Sequence, residues 1–174
     1  MEFWDVIRNR RSVRQFLSDR TVTEEQVHRL LEAAIISANA GNRQPWHFYI
    51  VRAPVIKEGL AAAAFGQQFV ADAPVVVVVC ADAARSAERY RERGSGLYCI
   101  QDTAIAGTQI MLAAVDMGLG TCWVGAFDEK RAADALQIPK TLRPVAMFPI
   151  GYPAKEAGGR TPRRSIEEVT TFME

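Results

Sequence analysis

Two groups of side chains in this chain could do chemistry, and neither contains an acid–base pair. The first is a run of amides, Asn39-Ala40-Gly41-Asn42-Arg43-Gln44-Pro45-Trp46. Asn42 and Gln44 each present donors and acceptors, the equipment for reading the edge of a heterocycle. Pro45 stiffens the exit and Trp46 adds a large flat anchor. Gly and Asn also tolerate left-handed backbone, so the same run reads equally as a helix end followed by a core Trp. The second group is arginine at both ends of the chain: Arg8, Arg10, Arg11 and Arg14, then Arg160, Arg163 and Arg164. Arg is better suited than Lys to bidentate phosphate contacts. A solvated basic surface is the plainer reading of Arg8-Asn9-Arg10-Arg11-Ser12-Val13-Arg14.

What is missing narrows the chemistry further. With only His28 and His47, a histidine relay or a multi-histidine metal site is nearly excluded. There is no G-x-S-x-G elbow and no P-loop. The run from Gly118 to Gly125 brushes against a dinucleotide fingerprint. Its third Gly lies too far along, however, and a strand follows where that motif needs a helix. An enzyme with phosphate-grade arginines, ring-reading amides and no acid–base machinery needs a cofactor to carry its reaction.

The bulk composition fits one domain over residues 1–174. Hydrophobic residues make up 49% and charged residues 24%, an ordinary globular balance. A net charge of +1 gives no global field toward nucleic acid or membrane. Cys80, Cys99 and Cys122 form no C-x-x-C pair, which suits a reducing compartment. The start MEFWDVIRNRR lacks an apolar run of signal-peptide length. The apolar stretch Leu97 to Leu119 is interrupted by Gln101, Asp102, Gln109 and Asp116, so it reads as a buried helix and not a membrane span. A cytoplasmic home is expected.

The elements that must position the two groups follow from patterning. A short helix over 3–9, with Phe3, Trp4 and Ile7 on one side, delivers the first arginines. Thr23-Glu24-Glu25-Gln26 is a capping box. From it runs an apolar stripe of Val27, Leu30, Leu31, Ala34, Ile35 and Ala38, with His28 outside it. This helix delivers the amide loop, and a strand from His47 to Val51 leaves it. A helix is expected over 55–64, ending near Phe65-Gly66. Pro74 opens VVVVVC, a β-branched run typical of a strand covered on both faces. Residues 82–96 turn abruptly polar and read as a surface helix or lid with a Gly-Ser-Gly hinge. The helix from about 97 to 117 is apolar on most sides, and part of it is expected to be turned to another subunit. Asp102 within it is more economically a satisfied structural carboxylate than a catalytic one. Gly118 and Gly120 end that helix, Thr121 to Val124 form a short strand, and Asp128 caps a helix to about Leu136. Pro139 and Pro144 bracket a loop before a strand from Val145 to Ile150. The tail after Pro153 looks loose and basic.

Taken in order, Arg10-Arg11-Ser12-Val13-Arg14, Asn42-Arg43-Gln44-Pro45-Trp46, Gly118-Leu119-Gly120, Trp123-Val124-Gly125-Ala126-Phe127-Asp128, Gly151-Tyr152-Pro153 and Pro162-Arg163-Arg164 closely resemble the FMN-dependent nitroreductase family in its short form. The resemblance covers essentially the whole chain. It implies an α+β fold with a mostly antiparallel central sheet wrapped by helices, working as an intertwined homodimer with FMN at the dimer interface. By resemblance, Arg10 and Ser12, with Arg11 beside them, reach the phosphate and ribityl region. Arg14 lies near the pyrimidine side of the flavin. Asn42 and Gln44 approach from the partner subunit. The backbone N–H groups of Gly125 and Ala126 approach the ring edge. Arg163, with Arg164, closes on the phosphate.

The implied activity is hydride transfer from NADH or NADPH through FMN to an electron-poor acceptor such as a nitroaromatic or quinone. No metal, nucleic acid or membrane is involved. A flavin-binding protein without NAD(P)H turnover, or one that uses FMN as its substrate, is the alternative. A nucleic-acid binder using the terminal arginines is disfavoured by the near-neutral charge and the lack of a recognition motif. Gly125-Ala126 stands where many relatives carry Glu-Gly, and Asn39-Ala40 where they carry small hydroxyl residues, which leaves the acceptor range open.

Overall fold

The computed structural model describes residues 1–155 and 158–173. Its centre is strand β2 (Val75–Asp82), fully buried from Val75 to Ala81. It pairs antiparallel with β1 (Trp46–Val51) on one side and with β4 (Leu142–Gly151) on the other. The short β3 (Gly120–Thr121) adds antiparallel to the outer edge of β4, giving the order β1-β2-β4-β3. The expectation of an α+β fold with an antiparallel sheet between helices holds.

Alternation along β2 explains why the run is valine throughout. Val75, Val77 and Val79 face a core built with α2 (Glu24–Ile35) and α6 (Cys99–Asp116). Val76, Val78 and Cys80 face a second core built with α3 (Pro54–Ala63), α4 (Phe69–Asp72) and α7 (Glu129–Leu136). A strand with no solvent face has no use for polar alternation. The capping boxes are in place: Thr23 Oγ1 accepts from Gln26 N at 3.1 Å while Gln26 Oε1 accepts from Thr23 N at 3.0 Å. Asp128 caps α7 through Arg131 N at 2.9 Å.

Four details depart from the patterning. In α1 (Phe3–Asn9) the buried residue is Val6, packed toward α6, while Phe3 and Trp4 face solvent edge to face with each other. The expected strand from Thr121 to Val124 stops after Thr121. The chain leaves the sheet so that Trp123 can meet Phe148 edge-on at 5.0 Å, and Val124 returns as a single bridge to Met147. Strand β4 starts at Leu142, before Pro144, because a bulge opposite Val79 and Cys80 accommodates a residue without an N–H. Residues 82–96 form the expected surface helix, but the break falls at Arg91 (φ 51°) and not at the glycines: α5 (Ala83–Arg93) runs through a π-helical turn, Gly94–Tyr98, into α6.

Among the described residues no helix is long and apolar enough to cross a membrane, and no cluster of potential metal ligands is found.

Candidate functional site

The arginines from the two ends of the chain meet. The exit segment of α1 lies along β3: Ser12 bridges Thr121, and Val13 N donates to Thr121 O at 3.0 Å. This requires close approach at Gly120, where a Cβ would sit 2.7 Å from a methyl of Val13. After β4 the chain returns to the same place. Phe16 bridges Pro153, Leu17 N donates to Tyr152 O at 2.9 Å, and the Arg20 guanidinium stacks 3.4 Å from the Tyr152 ring centre. Arg160 Nη2 then reaches Ile7 O and Arg8 O, each at 2.9 Å.

The result is a cavity of about 380 Å³ lined by Arg10, Arg11, Ser12 and Arg14 from one end of the chain and by Gly158–Thr161 and Arg163 from the other. Among the described residues, no carboxylate lines it. Burial, followed by the neighbouring guanidiniums of Arg160, Arg11 and Arg163, holds Arg10 below its ordinary pKa. Arg11 Nη1 caps Arg10 O at 3.0 Å, while its Nε is buried without a partner among the described residues. Crowded cations, a buried unpaired N–H donor and a hydroxyl make a donor set that suits a phosphate group.

Other expected site residues lie elsewhere in the chain. Arg164 does not line the cavity; its Nη2 donates to Glu168 O at 2.6 Å, at the end of α8 (Ile166–Val169). Arg14 lies at the cavity edge and also over the Phe69 ring, 5.7 Å from its centre. Gly125 and Ala126 are exposed in the turn before Asp128, with Ala126 O accepting from Gln67 Nε2 at 3.3 Å. Asn42 and Gln44 are exposed in the amide loop. Within one chain none of these four lines the arginine cavity.

The amide loop is nevertheless built tightly. Residues Ala40–Asn42 form a 3-10 turn, and Gly41, Asn42 and Gln44 all hold φ between 51° and 54°. Asn39 Oδ1 accepts from Gln44 N at 2.8 Å, and Asn42 Oδ1 accepts from Gln44 Nε2 at 3.1 Å. Below the loop, buried Asp102 accepts from Ala40 N at 3.1 Å through Oδ1. Its Oδ2 has no partner among the described residues, and burial pushes the carboxyl pKa up. Helix α5 closes the other side. Arg43 pairs with Glu88 and donates to Arg85 O, and the Tyr90 hydroxyl occupies the space a side chain at Gly41 would need.

Sequence reasoning did not place Arg160 and Thr161 in the site. Arg160 was visible only as part of a basic tail, with no periodicity or partner to show where it would dock.

A central antiparallel sheet between two helical layers, with an anion-suited pocket assembled from both ends of one chain, defines the class. The nitroreductase family model matches residues 7–72 and 61–152, and the chain belongs to this family. It is 34% identical over 164 residues to a "Putative NADH dehydrogenase/NAD(P)H nitroreductase" of Methanothermobacter thermautotrophicus, covering 92% of this chain and 82% of that one. It is 26% identical over 183 residues to an FMN reductase (NADPH) of Bacillus subtilis, covering 97% of this chain and 73% of that one. The crystal structure of a nitroreductase family protein from Clostridium novyi superposes with a TM-score of 0.80 at 31% identity, covering 88% of this chain and 86% of that one.

Proposed function

We propose that this protein is an FMN-dependent oxidoreductase, working as a homodimer, that takes reducing equivalents from NADH or NADPH and delivers them to an electron-poor acceptor such as a nitroaromatic or a quinone. The observation that carries the reading is the arginine cavity, whose uncompensated cations and buried donor match a phosphate monoester. The names of the relatives, FMN reductase and NAD(P)H nitroreductase, support the same cofactors.

In this reading Arg10, Ser12 and Arg163 hold the FMN phosphate, and Arg11 places its buried Nε–H beside them. Arg14 lies toward the pyrimidine side of the ring. The backbone N–H groups of Gly125 and Ala126 face the ring edge. Asn42 and Gln44 complete the ring site across the dimer, which accounts for two exposed amides on a firmly held loop. Bound FMN would supply the two-electron chemistry, accepting hydride from the nicotinamide and passing it to the acceptor. The chain binds, orients and shields; no side chain is needed as an acid or base.

Three measurements test this. Purified protein should be yellow, and the released ligand should have the mass of FMN at about one per chain. Adding NADH or NADPH with a nitroaromatic or quinone should give turnover. Light scattering should report a dimer. Protein that takes up no flavin overturns the reading, and a flavin-loaded protein that oxidises neither nicotinamide points to a binder without turnover.

A further inference from the structure

Helix α1 is short, and at its C-terminus the carbonyls of Ile7 and Arg8 have no intrahelical partner. Arg160, 153 residues beyond Ile7, supplies one: its Nη2 donates to both carbonyls at 2.9 Å, and Arg8 O also accepts from Arg11 Nη1. A guanidinium suits that position, because a helix C-terminus carries partial negative charge. These are also the polar ties that hold the segment. Among the described residues, no backbone hydrogen bond joins residues 158–164 to the body. The side-chain bonds of Arg163 and Arg164 stay inside the tail, to Thr161, Pro162 and Glu168. Every residue from Gly158 to Ser165 is exposed, and Gly158-Gly159 gives the segment little stiffness.

We propose that Arg160 is a positioning residue, a latch that holds the tail across the arginine cavity by capping α1, so that Arg163 reaches the anion only while Arg160 is docked. The proposal rests on the cavity being the FMN phosphate site. Closing the latch brings Arg160 and Arg163 beside Arg10, where burial first and then these neighbouring guanidiniums hold the Arg10 pKa down. A phosphate in the cavity relieves this crowding of cations. Latch closure and phosphate binding therefore favour each other reciprocally, as linkage requires. The ring of a flavin without a phosphate would not close the latch.

Wild type, Arg160→Ala and Arg163→Ala are compared as full-length apo-protein, with FMN, and with riboflavin. Tail mobility is followed as the rate of proteinase K cleavage between residues 158 and 165, located by mass spectrometry, and affinity by flavin fluorescence quenching. In wild type, FMN should slow cleavage in the tail and riboflavin should not. Arg163→Ala should weaken FMN while leaving apo cleavage at the wild-type rate, because its latch is intact. Arg160→Ala should speed apo cleavage in the tail and weaken FMN about tenfold, with riboflavin within about twofold of wild type. If Arg160→Ala fails to fold, Arg160→Lys serves instead, with cleavage expected between wild type and an unlatched tail. Weaker FMN binding with unchanged cleavage would make Arg160 a direct ligand contact and overturn the latch. Unchanged cleavage and unchanged affinity would overturn it as well. A wild type that binds neither flavin would fail the cofactor reading, while the apo cleavage contrast would still decide the latch.

Discussion

The arginine cavity and the amide loop make opposite use of their polar groups. In the cavity the charges are left over: Arg10 is held near Arg11, Arg160 and Arg163 with no carboxylate among the described lining residues. In the loop nearly everything is already answered from within. Asn39 holds Gln44, Gln44 holds Asn42, Asp102 holds Ala40, and Arg43 is anchored to α5. A site with surplus charge waits for a counter-ion. A site with satisfied backbone and exposed amide tips waits for a surface to read. The first can be completed by a small anion. The second calls for a flat partner, and in the proposed dimer that partner is the flavin held by the other chain.

The largest test of this contrast removes surplus charge. Arg163→Ala takes away a charge-assisted contact worth about 1.5–3 kcal/mol, or roughly ten- to hundredfold in FMN affinity. Riboflavin, which has no phosphate, should lose little. Titration of apo-protein with both ligands checks it. Equal losses would mean the residue acts through folding or assembly, and the cavity would not be a phosphate site.

A matched pair of substitutions asks whether the two regions fail differently. Gly120→Ala drives a Cβ to within 2.7 Å of Val13, whose backbone is fixed to Thr121, so the arginine segment must shift. Overpacking of this kind costs about 1–3 kcal/mol. Gly41→Ala meets the end of the Tyr90 side chain, which can swing away, but leaves Ala at φ +54 at a cost of about 1–2 kcal/mol. Both should lower Tm. Only Gly120→Ala should weaken FMN more than riboflavin; the same selectivity from Gly41→Ala would erase the distinction.

Much of this was legible in advance, for identifiable reasons. The valine run of β2, the Thr23 and Asp128 caps and the apolar stripe of α2 are local signals, and locality is what a sequence displays. The family resemblance leads to the expectation that both arginine clusters share one phosphate, and the structure puts Arg10 and Arg163 around one cavity. What escaped depends on distant partners. Phe3 and Trp4 look like a core face until α6 packs against Val6 instead. Pro144 looks like a loop residue until a bulge in β4 admits it. Arg160 looks like a surface charge until the C-terminus of α1 appears beside it. Asp102 reads as satisfied in the sequence, yet among the described residues only one of its two oxygens has a partner.

That half-satisfied carboxylate gives a smaller test, on the loop side. Its folded pKa is raised above the ordinary value of 3.8, chiefly by burial. The folded chain therefore keeps its proton to higher pH than the unfolded chain does. Stability must fall as pH rises from the unfolded value through the folded one, and the deficit persists above it. Asn keeps an oxygen for Ala40 N–H and cannot ionise. Asp102→Asn should thus gain in Tm over wild type by an amount that grows as pH is raised through this range. A difference that does not change with pH would show that Oδ2 has found a cation in solution.

The smallest expected effect discriminates most finely, because it separates two neighbouring arginines. Arg163 and Arg164 are adjacent, equally charged and both exposed. By resemblance either could hold the phosphate. Their surroundings differ in one respect. Arg163 lines the cavity with its hydrogen bonds confined to Thr161 and Pro162, whereas Arg164 points down the tail to Glu168 O, where it closes the end of the one-turn α8. Only Arg163 of the pair faces the cavity. Arg164→Ala should then change FMN affinity by less than about twofold, roughly 0.4 kcal/mol, since its charge acts only across solvent. Its visible consequence should be faster hydrogen exchange in α8, where the capping contact is lost. If Arg164→Ala instead costs tenfold in FMN and spares riboflavin, the tail turns over on binding, and the surplus charge of the cavity includes a residue that this arrangement keeps outside it.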